Sequence, residues 1–440
     1  MGTVGLVLLV TVLARSHVAS GFPAGGRGAG SRTDDSPTSA GVTLAVPDRS
    51  NATPSIASDG AFVAVAWGAS LASGATDIFL ATSRDGGRTF GTTVRVSDKD
   101  GDARVNGEQP PRVVLQHADP PLVTVVWTTK GEKGTRIVFA RSEDGGRSFT
   151  RAATVPGGDA PGNRGWEAVT VARSAHALAE RVNVVWLDHR ELAAQDSSMA
   201  AMHHQHSDAK PDGVAMAQKS KLYIASIDGS AAPQAITGGV CYCCKTALAA
   251  GADGSVFVAW RHVYPGNIRD IAFTSSRDGG RTFAPPVRVS EDKWELEGCP
   301  DDGPAMAIDA RNRIHIVWPT LVTESSGQTI ALFYASSTDG GTFTARERIS
   351  TEGSPHHPQL TIASDGSLVL AWDELAGGTR RAVSARATLK ATGGPTFAQK
   401  IVGGGEPAVY PVVAPVADAT IVAAWTSGRG PGSVFRVERH

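Results

Sequence analysis

Four cysteines and a pair of adjacent histidines are the residues in this chain best suited to chemistry. Cys241, Cys243 and Cys244 share one four-residue run, Cys299 stands apart, and His356-His357 follow further on. A second concentration covers about residues 191–220, where Met199, Met202 and Met216 accompany His203, His204 and His206. Three of the chain's five methionines lie in that stretch, which reads either as a soft-donor loop or as a disordered insertion. Thiolates with imidazoles bind zinc, and added thioethers shift the preference towards copper, above all Cu(I). The same four cysteines could instead form two disulfides, with three possible connectivities, or act as redox-active thiols. A bridge from the run to Cys299 would leave two thiols within four residues, and an adjacent Cys243–Cys244 bridge is strained. This crowding favours a metal site, copper first and zinc second.

Whether these donors meet depends on the elements that carry them. Trp67, Trp127, Trp186, Trp260, Trp318, Trp372 and Trp425 each close an alternating run of small and branched apolar residues. Their spacings are 60, 59, 74, 58, 54 and 53 residues. Period-two strands repeated at such intervals predict a β-propeller, here of seven four-stranded antiparallel blades. The last unit, from Tyr410, holds three strands. The segment Val42 to Val46 resembles a fourth, so an N-terminal strand is expected to close the ring and hide the sheet edges.

In such a ring, the loops leading into the innermost strands and the loops leaving the second strands share one face. The former supply Gln109, Trp166-Glu167, the cysteine run, Cys299 with Asp301-Asp302, His356-His357 and Tyr410. The latter supply Asp188-His189-Arg190, Arg261-His262 and Asp373-Glu374. The stretch 191–220 leaves blade three on the same face, as a lid or metal-delivery arm. The expected ligands are therefore Cys241, Cys243, Cys244 and Cys299, completed by His356, His357, His189 or His262. His117, His176 and His315 fall elsewhere in the repeat and read as structural.

The turn between third and fourth strands repeats as Ser83-Arg84-Asp85-Gly86-Gly87, Ser142-Glu143-Asp144-Gly145-Gly146, Ser276-Arg277-Asp278-Gly279-Gly280 and Ser337-Thr338-Asp339-Gly340-Gly341, each followed by an aromatic residue. These turns resemble the Asp boxes of sialidase-like propellers. The resemblance covers almost the whole mature chain. It implies a propeller, with a six-bladed sialidase-type ring as the alternative to seven, and places the boxes opposite the active face. Sialidases also carry an arginine clamp for the sugar carboxylate, and this chain lacks its Arg-Ile-Pro signature. Tyr410 occupies the place of the family's tyrosine, and Glu167, Asp373 and Glu374 are weaker catalytic candidates. A glycan-directed hydrolase or lectin is thus one alternative function. A disulfide-stapled scaffold for an exported protein partner is another.

Composition sets the remaining limits. Of 440 residues 41% are hydrophobic, enough for a large core, and the formal charge of −1 without a basic block excludes nucleic acid as a partner. Gly5 to Leu13 is an apolar run too short to span a bilayer, and Val18-Ala19-Ser20 offers small residues for cleavage before Gly21. Residues 1–20 are read as a signal peptide, 21–40 as a disordered leader and 41–440 as one propeller domain. The protein is expected to be secreted or periplasmic, with no membrane span.

Overall fold

The computed structural model describes residues 41–173, 180–192, 213–230, 232–325, 327–388 and 394–440. They form seven four-stranded antiparallel sheets arranged as a propeller, so seven blades and not six are present. Blade one shows the plan, with an inner strand Ser50–Asp59, then Phe62–Ser70, Thr76–Ser83 and an outer Val94–Arg95. The last blade contributes Ala408–Pro415, Ile421–Ser427 and Val434–Arg439, and Val42–Leu44 completes it from the N-terminal side. Val42 pairs with Val437 and Leu44 with Phe435, which closes the ring as the repeat count predicts. Among the described residues no helix is long and apolar enough to cross a membrane.

The tryptophans work between blades. Trp67 sits in a cluster with Val65 of its own blade and Val422, Ala424 and Phe435 of the last one. All seven are fully buried; five of the indole N–H groups find an acceptor, and those of Trp127 and Trp425 have none among the described residues. Trp67 donates to Asn51 (3.0 Å), Trp186 to Asp188 (2.9 Å), Trp318 to Asp292 (2.6 Å), Trp372 to Glu374 (3.1 Å) and Trp260 to His262 Nδ1 (3.3 Å). Asp188 and Glu374, both buried, also pair with arginines, Asp188 with Arg164 and Arg190 and Glu374 with Arg381. His315, also buried, lies with Nδ1 2.8 Å from the Tyr334 hydroxyl, in keeping with a structural role.

The repeated turns close on themselves. Asp85 Oδ1 accepts the Arg88 and Thr89 N–H groups at 2.9 Å each, and Ser83 Oγ accepts the Gly87 N–H at 2.8 Å. The glycines take φ of 70° and 83°, a region that favours residues without Cβ. Because strand direction alternates, these turns lie at the end of the blade opposite the start of the inner strand.

Candidate metal centre at the channel mouth

The inner strands begin irregularly. Register shifts interrupt the pairing between Ala52/Ser55, Gly165/Ala168, His356/Gln359 and Val409/Val412. At or beside these bulges Thr53, Trp166, His357 and Tyr410 adopt φ of 59°, 55°, 52° and 54°, and Asp301 has 51°. For residues other than glycine this costs roughly 1–3 kcal/mol each, and such strain collects where side chains must be aimed. Every one of these positions faces the mouth of the central channel.

Two groups of donors gather there. The first is sulfur. Cys241 Sγ stands 3.8 Å from Cys243 Sγ and 3.7 Å from Cys244 Sγ, and all three residues are buried. Cys243 is joined to Cys299 in a disulfide that staples blade four to blade five, leaving Cys241 and Cys244 as free thiols. The bridge from run to Cys299 is thus present, whereas the expected ligand set needs all four sulfurs reduced. The short helix Gly213–Lys219 (α1) ends the 191–220 insertion, and its Val214 and Ala217 pack on the cysteines. The described end of the insertion thus packs on them. Met199, Met202, His203, His204 and His206 lie outside the described residues.

Two guanidiniums shape this sulfur group. Arg269 donates to Cys241 Sγ at 3.1 Å, to the Leu296 carbonyl at 2.8 Å and to Asn267 at 3.1 Å. Arg261 donates to the Asp302 carbonyl at 2.9 and 3.0 Å, and to those of Arg269 (2.7 Å) and Pro319 (2.8 Å). Both are about fully buried, and neither meets a carboxylate among the described residues. A buried charge demands a counter-charge, and the nearby sulfurs are placed to supply it. The Cys241 thiol is held down to about 7, first by the hydrogen bond from Cys244 and then, against burial, by Arg269 and Arg261. Cys244 is pushed well up by burial and by the thiolate beside it.

The second group is oxygen and nitrogen. Donor atoms of Glu108, Asp302 and His357 lie within 4.8 Å of one another. Glu108 Oε2 accepts the N–H groups of Lys245 (2.9 Å) and Gly303 (2.7 Å), tying together the two loops that carry cysteines. A Cβ at Gly303 would stand 2.1 Å from the Lys245 carbonyl oxygen, so the loops approach this closely because the residue is glycine. His357 Nδ1 meets Asp373 at 2.8 Å, and His356 Nδ1 meets Asp302 at 2.5 Å. Asp373 also pairs with Arg380 and accepts the Tyr410 N–H at 2.9 Å. The Tyr410 ring packs over Gly107, next to Glu108.

The single Cys/His cluster expected from sequence is therefore divided. Sulfur and imidazole reach the same mouth but fall into neighbouring groups, because His356 and His357 turn towards the carboxylates of blades five and six. His189 packs at a tilt against Trp166 and abuts Tyr242, its Nε2 buried without a hydrogen-bond partner among the described residues. His262 accepts from Trp260 and packs on Tyr264. Burial pushes both imidazoles down to about 4, so both are neutral at physiological pH. Glu374 is engaged by Trp372 and Arg381. Glu167, held up to about 7 by burial, accepts from Thr128 at 2.9 Å. Arg112, which donates to the Glu167 carbonyl at 2.8 Å, and Lys245 line a cavity of about 170 Å³.

Glu108, Lys245 and Arg269 escaped the sequence reading. Glu108 precedes the expected Gln109 by one position, and Lys245 directly follows the cysteine run, so both had a positional signal. Arg269 had none, because its hairpin between second and third strands carries no local mark.

No family model and no curated protein matches the chain. In fold it is similar to a protein of unknown function from Dyadobacter fermentans, with TM-score 0.50 and 14% identity over 91% of this chain and 98% of that one. The intramolecular trans-sialidase of Ruminococcus gnavus superposes with TM-score 0.44 and 13% identity over 88% and 94% of the two chains. The α-L-arabinofuranosidase Arb93A of Fusarium graminearum gives 0.47 and 11% over 91% and 97%. At these identities likeness concerns fold alone. The chain is a seven-bladed propeller with sialidase- and glycosidase-type structural neighbours at low identity, and its mouth is to be understood from its own residues.

Proposed function

We propose that the mouth binds a thiophilic transition metal, Cu(I) in the first place and zinc in the second, in an exported protein. One observation carries this reading. Four ligands about 2.3 Å from one ion in a tetrahedron stand about 3.8 Å apart; the free Cys241 and Cys244 sulfurs lie 3.7 Å apart, and the bridged Cys243 sulfur is 3.8 Å from Cys241. Charge supports it as well. Four thiolates on Zn²⁺, or three on Cu(I), leave a net charge of −2, which Arg261 and Arg269 would balance. Copper is favoured because the Met- and His-bearing insertion ends in a helix packed on the cysteines. Opening the Cys243–Cys299 bridge with a thiol reductant would release the remaining two sulfurs as ligands.

A glycan-directed reading has less behind it. The Asp373 carboxylate is already held by His357, Arg380 and Tyr410, Glu374 by Trp372, and Glu167 is sealed from solvent. The test is an anaerobic Cu(I) titration of the reduced chain against a competing chelator. About one tightly held copper per chain is expected, and none after Cys241→Ser with Cys244→Ser. Equal copper uptake by the parent and the double variant would overturn the proposal.

A further inference from the structure

The oxygen and nitrogen group at the mouth has features that the sulfur group does not explain. Glu108 is fully buried, and while its Oε2 takes two backbone N–H groups, its Oε1 has no hydrogen-bond partner among the described residues. The nearest cation, Lys245 Nζ, stands 3.8 Å away, beyond hydrogen-bond reach, and donates instead to the Pro358 carbonyl at 2.8 Å. A buried carboxylate oxygen left in this way is costly unless something meets it. Asp302 offers a second carboxylate, itself anchored by the His357 N–H at 2.9 Å and by His356.

His357 supplies the third donor, with one ring nitrogen within 4.8 Å of the two carboxylates. Its Nδ1 is fixed on the Asp373 carboxylate at 2.8 Å, which leaves Nε2 as the free ring nitrogen. A carboxylate behind a ligating imidazole sets its tautomer and raises its basicity, and is a recurrent outer-shell device. Asp373 is in turn fixed by Arg380 and the Tyr410 N–H. Three protein donors are also the number with which catalytic sites leave a coordination position open.

We propose that Glu108, Asp302 and His357 form a second cation site at the head of the channel, taking a divalent first-row ion of the Mn²⁺ or Zn²⁺ class. Two carboxylates and one imidazole suit such an ion, whereas Cu(I) goes to the neighbouring sulfurs. Asp373 acts as a positioning residue behind His357. The proposal does not rest on the sulfur reading, since no cysteine is among its ligands.

Mn²⁺ titration of the full chain, followed by electron paramagnetic resonance and calorimetry, tests it. Using Cys241→Ser with Cys244→Ser as background keeps the two sites distinguishable. One saturable Mn²⁺ per chain is expected, with Glu108→Gln and His357→Gln each weakening it at least tenfold. Asp373→Asn should cost roughly 10- to 100-fold, while Cu(I) uptake on the wild-type cysteines persists in His357→Gln and Asp373→Asn. Should Glu108→Gln fail to fold, as judged by tryptophan fluorescence, His357→Gln decides alone. Absence of saturable binding of both Mn²⁺ and Zn²⁺, or binding that His357→Gln leaves unchanged, would overturn the proposal.

Discussion

The two faces of the propeller are built by opposite rules. On one, Ser, Asp and two glycines recur at the same place in blade after blade, and the Asp side chains satisfy the turn that carries them. On the other, the same structural position holds a cysteine run, a His pair, a tyrosine or a glutamate, depending on the blade. Hydrogen bonds there run across blades, as when Glu108 of blade two holds Lys245 of blade four and Gly303 of blade five. Repetition serves stability, and departure from it marks the place where function is to be sought.

This contrast can be broken experimentally, beginning with glycines. Gly303→Ala should be the most damaging change, because its Cβ would meet the Lys245 backbone oxygen at 2.1 Å. We expect about 3 kcal/mol of lost stability, together with loss of metal binding as the two cysteine loops part. On the other face Gly229 has φ of 72° and open space around it, so Gly229→Ala should cost only about 1 kcal/mol. Denaturant unfolding of both variants checks the ratio.

Buried charge gives the next effect. The Glu167 carboxyl is pushed by burial from 4.5 up to about 7. Between those values the folded chain holds a proton that the unfolded chain has released, so stability falls as pH rises through the window. Glu167→Gln removes this fall. The variant should match the parent near pH 4 and exceed it by up to ~3 kcal/mol at pH 8, provided the new amide finds the Thr128 hydroxyl. Melting curves from pH 4 to 8 give the difference directly.

Arg269→Gln sharpens the account of the sulfur group. Without its guanidinium, Cys241 should titrate above its present value of about 7, and alkylation of the metal-free reduced chain should need higher pH. Cu(I) affinity is expected to fall by roughly tenfold or more, as for other outer-shell partners. The smallest effect belongs to the repeated turns. The Asp144 carboxyl is held well below the ordinary range by the Ser148 and Ser142 hydroxyls. Its contribution is present at neutral pH and lost as pH falls through that depressed value. Asp144→Asn should therefore lower Tm by about 1–3 °C near pH 7, with the difference shrinking in acid.

The ring was legible in the sequence because each blade writes its signal locally. The alternation before Trp67 or Trp318 is a property of one strand, and the short last unit pointed to Val42–Leu44 as the closing strand. The choice of face for Cys241, His357 and Tyr410 was legible too, since it follows from strand direction. Which donors meet was not. Their grouping depends on angular position around the ring, and this divided the sulfurs from His356 and His357. Arg261 and Arg269 act through burial, which depends on loops from two blades that no short window of sequence contains. The bridge between Cys243 and Cys299 was one of several pairings that spacing permits.

The central claim is that the four cysteines at the mouth serve a metal. Elemental analysis of the chain purified under reducing conditions, combined with a thiol count after chelation and unfolding, addresses it directly. The account predicts about one copper or zinc per chain and all four cysteines recovered as thiols. A chain free of both metals, with the Cys243–Cys299 bridge persisting in reductant, would contradict it.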